Sequence, residues 1–516
     1  MPTGRKATIR RIFLLHRWLG MGLAPLMVMW CLSGIVMLWH PWPTPDAERV
    51  LRAHPDLHLP ATTILPPALN VARRARIAMA GDDAVVTVLP DNAPGSSDAS
   101  GFSLRSGRAV THRAEALVPD ARAYLPGGER DAPLHAAGLR RTDQWIMNTK
   151  GRAQGFYRYD FADPERTSLY IAPVSGDVVQ STTRRERFWA WIGPVPHWLY
   201  FSLLRRHDRL WADTLILLSA PSIFLTVTGL WIGLRRFGSR RGRRTGAGNR
   251  DGGRRRRFRA SPYRGAAMLH HLAGLSFGLF ALSWITTGFL SMNPAGFLEK
   301  TPPPDWTQQI SGPLDARAVA AALPALQKEP GIVAVELDHI GPGLFLTRLN
   351  RDGTRRRTDD RARPAPLSAD ALRQQLAQNG IEARVDRLAR DDAYYFSNRH
   401  RTRPFPVFRI AGPDGTRLYL DPVSGAPLLV VGQAARETRW IVYGPHDLDF
   451  LSFLRAPSSR ILLLLPLLCG VALLCLCGLW IGICRMGYML DRHRRSARRR
   501  RPGRRPVRQK ERESRP

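Results

Sequence analysis

The sequence predicts an α+β membrane protein: a pseudo-two-fold duplicated four-helix transmembrane bundle carrying two α+β domains on its outer side. Three observations lead there. Four stretches are long and apolar enough to cross about 30 Å of hydrocarbon, roughly Ile12–Trp39, Leu210–Leu234, Met268–Met292 and Ser459–Cys484. The densest basic runs, RKATIRR near the start and the segments 235–259 and 492–506, each abut one of these stretches, as cytoplasmic flanks do. The chain also repeats itself. Shifted by 249 positions, Trp191, Pro196 and His197 fall on Trp440, Pro445 and His446, and GLWIG at 229–233 falls on GLWIG at 478–482.

That register runs without a gap from Tyr170 to Gly233. A second register, at an offset of 254 positions, lays LLHRWLG (Leu14 to Gly20) on MLHHLAG (Met268 to Gly274), so His16 meets His270. Further along it Trp30 meets Trp284 and Ser33-Gly34 meets Thr287-Gly288. Repeats of this length mark a duplicated unit.

A net charge of +35 over 516 residues would suit nucleic acid if it formed a reading face. Its densest runs abut the membrane spans and are accompanied by no helix-turn-helix or RNA-stacking motif, so the lipid bilayer is the expected partner and nucleic acid is not. All five cysteines (Cys31, Cys469, Cys475, Cys477, Cys484) fall inside the expected spans. The outer segments thus lack disulfides, and Cys475 and Cys477, without CxxC spacing, read as core packing or close helix contact.

In order, the tail and first span occupy 1–40, with an apolar region too long for a cleaved signal and no Ala-x-Ala site, hence an uncleaved anchor. His40-Pro41-Trp42-Pro43 breaks that helix beside an aromatic belt. The first outer domain with its interfacial segment covers 41–205. There LNVARRARIAMA reads as a helix, DAVVTVLP as a strand, GFSLRSGRAVTHR as a hairpin, and GFYRYDF and TSLYIAPVSGDVVQS as further strands. The second span follows at 206–236 and a basic, solvated, flexible linker at 237–262. The third span is 263–292, and the second outer domain is 293–455. LDARAVAAALPALQ and SADALRQQLAQNG read there as helices. GIVAVELDHI, GLFLTRLNRDGTRRR and FPVFRIAGPDGTRLYLDPVSGAPLLV read as strands joined at Asp-Gly and Pro-x-Ser-Gly turns. The fourth span is 456–485 and a basic tail closes the chain at 486–516. With the basic flanks inside, both termini are cytoplasmic and both large domains periplasmic, in a bacterial inner membrane.

IRRIFLLHRWLGMGLAPLMVMWCLSGIVML and LHHLAGLSFGLFALSWITTGFLSMNP resemble the first and third helices of the PepSY-associated transmembrane family. YIAPVSGDVV and YLDPVSGAPL are similar to the closing hairpin of PepSY modules, Tyr-x-Asp-Pro-x-Ser/Thr-Gly, except that Ala172 stands where the second copy has Asp421. The resemblance covers nearly the whole chain outside the linker and tail. It implies PepSY-like outer domains and a kinship with inner-membrane di-haem ferrisiderophore reductases and iron-regulated membrane proteins.

Ligand-type residues in a span are functional candidates. Of fourteen histidines, His16/His270 and His197/His446 keep their identity in both copies. Opposed across a bundle, His16 and His270 would ligate one haem axially on the inner side, with Gly20 and Gly274 leaving room for the macrocycle. His197 and His446, each after a proline and before an amphipathic HWLYFSLL or HDLDFLSFL segment, would ligate a second haem at the outer mouth. The plainer reading of any one of them is helix capping or a headgroup hydrogen bond. His40, His271 and His207 are secondary candidates. His16 and His40 lie about 36 Å apart along a helix, too far to serve one haem. Zinc lacks a ligand set, with neither HExxH nor a Cys/His cluster.

The function expected is a b-type haem reductase, with two haems by the family resemblance, taking electrons from quinol or a cytoplasmic reductase. It would pass them across the membrane to a periplasmic ferric chelate, a ferrisiderophore foremost. No catalytic residue is identified. RRTDQW (140–145) and RHRTRPF (399–405) would hold an anionic chelate, or simply be solvated surface. The rival reading is a non-enzymatic, membrane-anchored PepSY regulator or folding factor. A transporter is disfavoured by the few spans and their lack of internal charge.

Overall fold

The computed structural model describes residues 3–89, 100–146, 154–238, 260–296, 298, 304–328, 330–341, 343–397 and 402–499. The basic linker at 239–259, the tail beyond 499 and the start of RHRTRPF lie outside them. Four helices are long and apolar enough to cross a membrane: Thr3–Met37, Asp208–Arg236, Ala266–Ser291 and Pro457–Arg499. The first stops before Pro41, whose ring disfavours helix in the residue preceding it. Large apolar side chains such as Leu217, Leu279 and Leu462 stay exposed on these helices, the face that lipid would cover.

The chain divides into two compact units, one comprising Met1–Cys31, Ala220–Leu282 and Leu467–Pro516, the other Leu32–Ser219 and Ser283–Pro466. Within the first unit the four helices touch in a ring. The first meets the second at His16 and Leu225, and the third meets the fourth at His270 and Leu474. A Cβ at Gly233 would approach Leu275 to 3.3 Å, and one at Gly482 would approach Met21 to 3.4 Å, closing the ring between the second and third and the fourth and first helices. Cys31 and Cys475 pack with their sulfurs 4.0 Å apart. Small residues let helix backbones approach in this way.

The second unit holds the strands. The first segment between long helices forms β1 (Arg74–Ala80), β2 (Asp83–Val88), β3 (Ser100–Ser103), β4 (Leu134–Arg140), β5 (Phe156–Phe161), β6 (Ser168–Ile171) and β7 (Val178–Thr182). The second forms β8 (Ile332–Asp338), β9 (Phe345–Asn350), β10 (Arg355–Asp359), β11 (Arg384–Leu388), β12 (Val407–Ala411), β13 (Arg417–Leu420) and β14 (Pro427–Val431). Each segment has its own antiparallel four-stranded sheet, β4-β5-β6-β7 and β11-β12-β13-β14. The remaining strands share one six-stranded sheet, β10-β9-β8-β1-β2-β3, in which β1 pairs antiparallel with β8, Ile77 opposite Val335. A common core of Ile77, Val86, Val335, Leu337 and Leu346 lies beneath, covered by the helix Ala316–Ala322.

One expected element changes type. The helix read at 69–80 is a short 3₁₀ turn, Pro67–Val71, followed by β1. Ala, Arg and Ile suit a helix locally, but β1 has β2 on one edge and β8 on the other, and two ladders of backbone hydrogen bonds outweigh a weak propensity. β4 and β11 arise in stretches that carry no expected element, while the other strands, the Asp352-Gly353 turn and the helix Ala369–Gln378, N-capped by Ser368, stand where the sequence puts them.

The Pro-x-Ser-Gly hairpins are built alike. Gly176 and Gly425 take φ of 68° and 66°, a left-handed conformation glycine adopts without strain, and donate back to the carbonyls of Ala172 and Asp421. Asp421 also accepts from the backbone N–H of Val423 and Ser424, a cap that Ala172 cannot supply. The segments carrying His197 and His446 leave Trp191, Ile192 and Phe201, and likewise Trp440, Ile441 and Phe450, exposed, as an interfacial segment would.

Candidate functional site

In the first unit, His16 and His270 come together. Their ring centroids lie 6.4 Å apart with planes tilted by 49°. His16 Nδ1 donates to the Leu225 carbonyl at 3.1 Å, and His270 Nδ1 to the Leu474 carbonyl at 3.0 Å. Leu225 and Leu474 are 249 positions apart, so the bond recurs in the repeat register. With Nδ1 holding the proton, each ring presents Nε2 as a neutral lone-pair donor, and neither Nε2 has a hydrogen-bond partner among the described residues. A backbone carbonyl orienting a histidine through its other nitrogen is the usual outer-shell arrangement at metals.

His16 and His270 would be the two imidazole donors that a metal-bearing cofactor could take from the chain here, each already oriented by its carbonyl. No group of three or more His, Cys, Asp or Glu side chains converges among the described residues. A porphyrin, which brings four equatorial nitrogens of its own, needs only two protein donors. The residues present fit it.

Packing behind the rings is tight. A Cβ at Gly229 would lie 2.7 Å from His16 Cε1, and one at Gly478 would lie 3.0 Å from His270 Cε1. These glycines, again 249 positions apart, let the second and fourth helices press against the imidazoles. Gly20 and Gly274, expected to make room, would meet only Leu225 at 3.8 Å and Leu474 at 3.5 Å. The signal for Gly229 and Gly478 was in the sequence, in the repeated GLWIG, but their partner helix was not.

In the second unit, His197 Nδ1 lies 3.1 Å from Ser33 Oγ, and His446 Nδ1 lies 2.9 Å from Thr287 Oγ1. Trp284 Nε1 donates to the His446 carbonyl at 2.9 Å. Ser33 and Thr287 are partners in the 254-position register. Each histidine is the next-to-last residue of a short helix, Pro194–Trp198 or Gly444–Asp447, which is followed by a leucine in the left-handed region, Leu199 at φ 50° and Leu448 at φ 52°. Such a backbone is uncommon for leucine and marks a geometry held by its surroundings. Burial pushes His446 below the ordinary histidine value, with Arg460 adding to this and Asp447 opposing it. The imidazole is therefore neutral, as a metal ligand must be.

Two of the secondary candidates, His271 and His40, are otherwise engaged. His271 uses both ring nitrogens, Nδ1 with Ser261 Oγ at 2.9 Å and Nε2 with the Gly233 carbonyl at 3.0 Å. His40 stacks on Trp189, centroids 4.2 Å apart. His207 is exposed beside the start of the second long helix. Of the two arginine-rich segments, RRTDQW is described. Its Asp143 accepts from Arg158 at 3.0 Å and from the Tyr170 hydroxyl at 2.8 Å.

A family model, the PepSY-associated TM region, matches residues 13–331, more than half of the chain. The chain belongs to this family. It is accordingly a membrane protein, with four apolar helices and open sheets among the described residues. No curated protein matches the chain. The matched range contains His16, His197 and His270, while His446 lies beyond it.

Proposed function

We propose that the chain is an inner-membrane b-type haem protein that passes electrons across the membrane to a periplasmic ferric chelate, a ferrisiderophore foremost. The observation that carries this reading is the 6.4 Å approach of the His16 and His270 rings, each with Nδ1 tied to a carbonyl. His16 and His270 would hold one haem and His197 and His446 another, one toward each face of the membrane. Haem bound there supplies one-electron transfer. The protein's own residues fix the ligands. The Leu225 and Leu474 carbonyls orient the inner imidazoles, and Ser33 and Thr287 orient the outer ones.

The duplication of the sequence supports two such sites, since both sets of contacts recur at equivalent register positions. Both termini would be cytoplasmic and both PepSY-like segments periplasmic. No flavin or nicotinamide motif occurs in the chain, so the donor would be quinol or a separate cytoplasmic reductase.

A reduced-minus-oxidised visible spectrum of the purified full-length protein tests the reading. The expected outcome is a split α band with about two haems per chain. His16→Ala or His270→Ala should lose one haem, and His197→Ala or His446→Ala the other. A featureless spectrum ends the reductase reading and leaves the membrane-anchored PepSY regulator or folding factor.

A further inference from the structure

The two copies close the same corner of their outer domains with different chemistry. In the second copy, Arg455 is buried and sends Nη1 to Asp391 Oδ2 at 2.8 Å and to the Asp392 carbonyl at 2.9 Å. Asp392 accepts the Tyr419 hydroxyl at 2.7 Å. Shifted back by 249 positions, Asp392 becomes Asp143, which accepts the Tyr170 hydroxyl at 2.8 Å, so the register holds here in contacts as well as in letters. Arg455 becomes Arg206. Asp391, however, becomes Thr142.

The first copy thus keeps the base and lacks the acid. Arg206 is exposed, and its guanidinium makes no hydrogen bond or ion pair among the described residues. It lines a small pocket with Thr142, Asp143, Ser202 and Arg205. The other charges there are balanced. Asp143 is held by Arg158 at 3.0 Å, and Arg205 pairs with Asp208 while lying 4.6 Å over the Trp211 ring. The walls are tied together by Gln144, whose Nε2 donates to the Tyr200 carbonyl at 2.7 Å and whose Oε1 accepts from the Ser202 N–H at 3.1 Å. One exposed guanidinium, at the mouth of a hollow no larger than a water molecule, is left without a counter-ion among the described residues, beside two hydroxyls that can donate to oxygen.

We propose that this pocket binds a carboxylate of an external ligand, in the role the Asp391 side chain plays in the second copy. Resting on the ferric-chelate reading above, this makes the substrate a carboxylate-bearing chelate, docked by its acid arm on the same short segment that carries His197. Arginine is suited to this because its planar fork matches carboxylate geometry.

The test uses iron-free citrate as the probe and calorimetric titration of the full-length protein in nanodiscs. Wild type should bind citrate saturably. Thr142→Asp, which supplies in the chain the acid the first copy lacks, should weaken that binding at least tenfold, and so should Arg206→Gln. Citrate binding that is absent from wild type, or unchanged in both variants, overturns the proposal. The visible spectrum of the same samples reads the haem hypothesis separately. A colourless protein whose citrate binding is lost in Thr142→Asp keeps the pocket and drops the reductase, and a haem-loaded protein indifferent to both substitutions does the reverse.

Discussion

Gly229 and Gly478 show how little room the inner histidines have. A methyl group at Gly229 would sit 2.7 Å from His16 Cε1, inside any tolerable contact, so the ring must turn and break its bond to Leu225. Gly229→Ala is expected to cut retention of the inner haem several-fold, read as pyridine haemochrome per protein. Gly478→Ala, at 3.0 Å, should do so less. Gly288→Ala, with nothing within 4 Å, should leave the content unchanged. For the outer pair, Ser33→Ala and Thr287→Val each remove the hydroxyl at Nδ1. Loss of such an outer-shell partner costs about 10–100-fold in metal affinity, and haem dissociation rates should show it while the inner haem stays. The paired histidines were legible in the sequence because the same letters recur around them at a constant offset. Their hydrogen-bond partners were not, because a carbonyl or a hydroxyl on another helix leaves no local signature.

At the scale of elements, the misread stretch at 69–80 and the shared sheet have one cause. A strand with partners on both edges is chosen by those partners, and β8 lies more than 250 positions away in the sequence. At the end of β8, Asp338 Oδ1 accepts from Arg357 of β10 at 2.9 Å, both side chains almost fully buried. Arg357 also donates to the Ala365 and Ile340 carbonyls. Asp338→Ala would leave that guanidinium buried without its counter-charge, which typically costs about 3–5 kcal/mol. Chemical unfolding followed by tryptophan fluorescence should move accordingly, with the haem spectrum unaffected until the outer sheets melt. A substitution effect under about 1 kcal/mol would mean that water reaches the pair.

For the whole molecule, acidity is the simplest probe. His446 is held neutral by burial, below its ordinary value. The unfolded imidazole takes a proton near pH 6.5, so below that point the unfolded state binds more protons than the folded one. Stability from this site is then complete above about pH 6.5 and falls as the solution is acidified. Titration of the full-length protein should show constant outer-haem absorbance near neutrality and a progressive loss in acid. His446→Ala, lacking that haem from the outset, should show no such phase. Absorbance flat down to pH 4 would mean the ring is not in the site assigned to it.

The sequence by itself determined the four spans, the basic flanks, most strands and turns, and the two pairs of histidines, because each rests on patterns a few residues to one repeat in length. Apolar runs, Pro-x-Ser-Gly turns and recurring letters are all local in that sense. Only the tertiary structure decided that β1 is a strand, that the two strand-bearing segments share a sheet, and that Gly229 and Gly478 rather than Gly20 and Gly274 press on the imidazoles. Those outcomes depend on which backbone or charge arrives from a distant part of the chain, and burial and hydrogen-bond satisfaction are settled by that arrival.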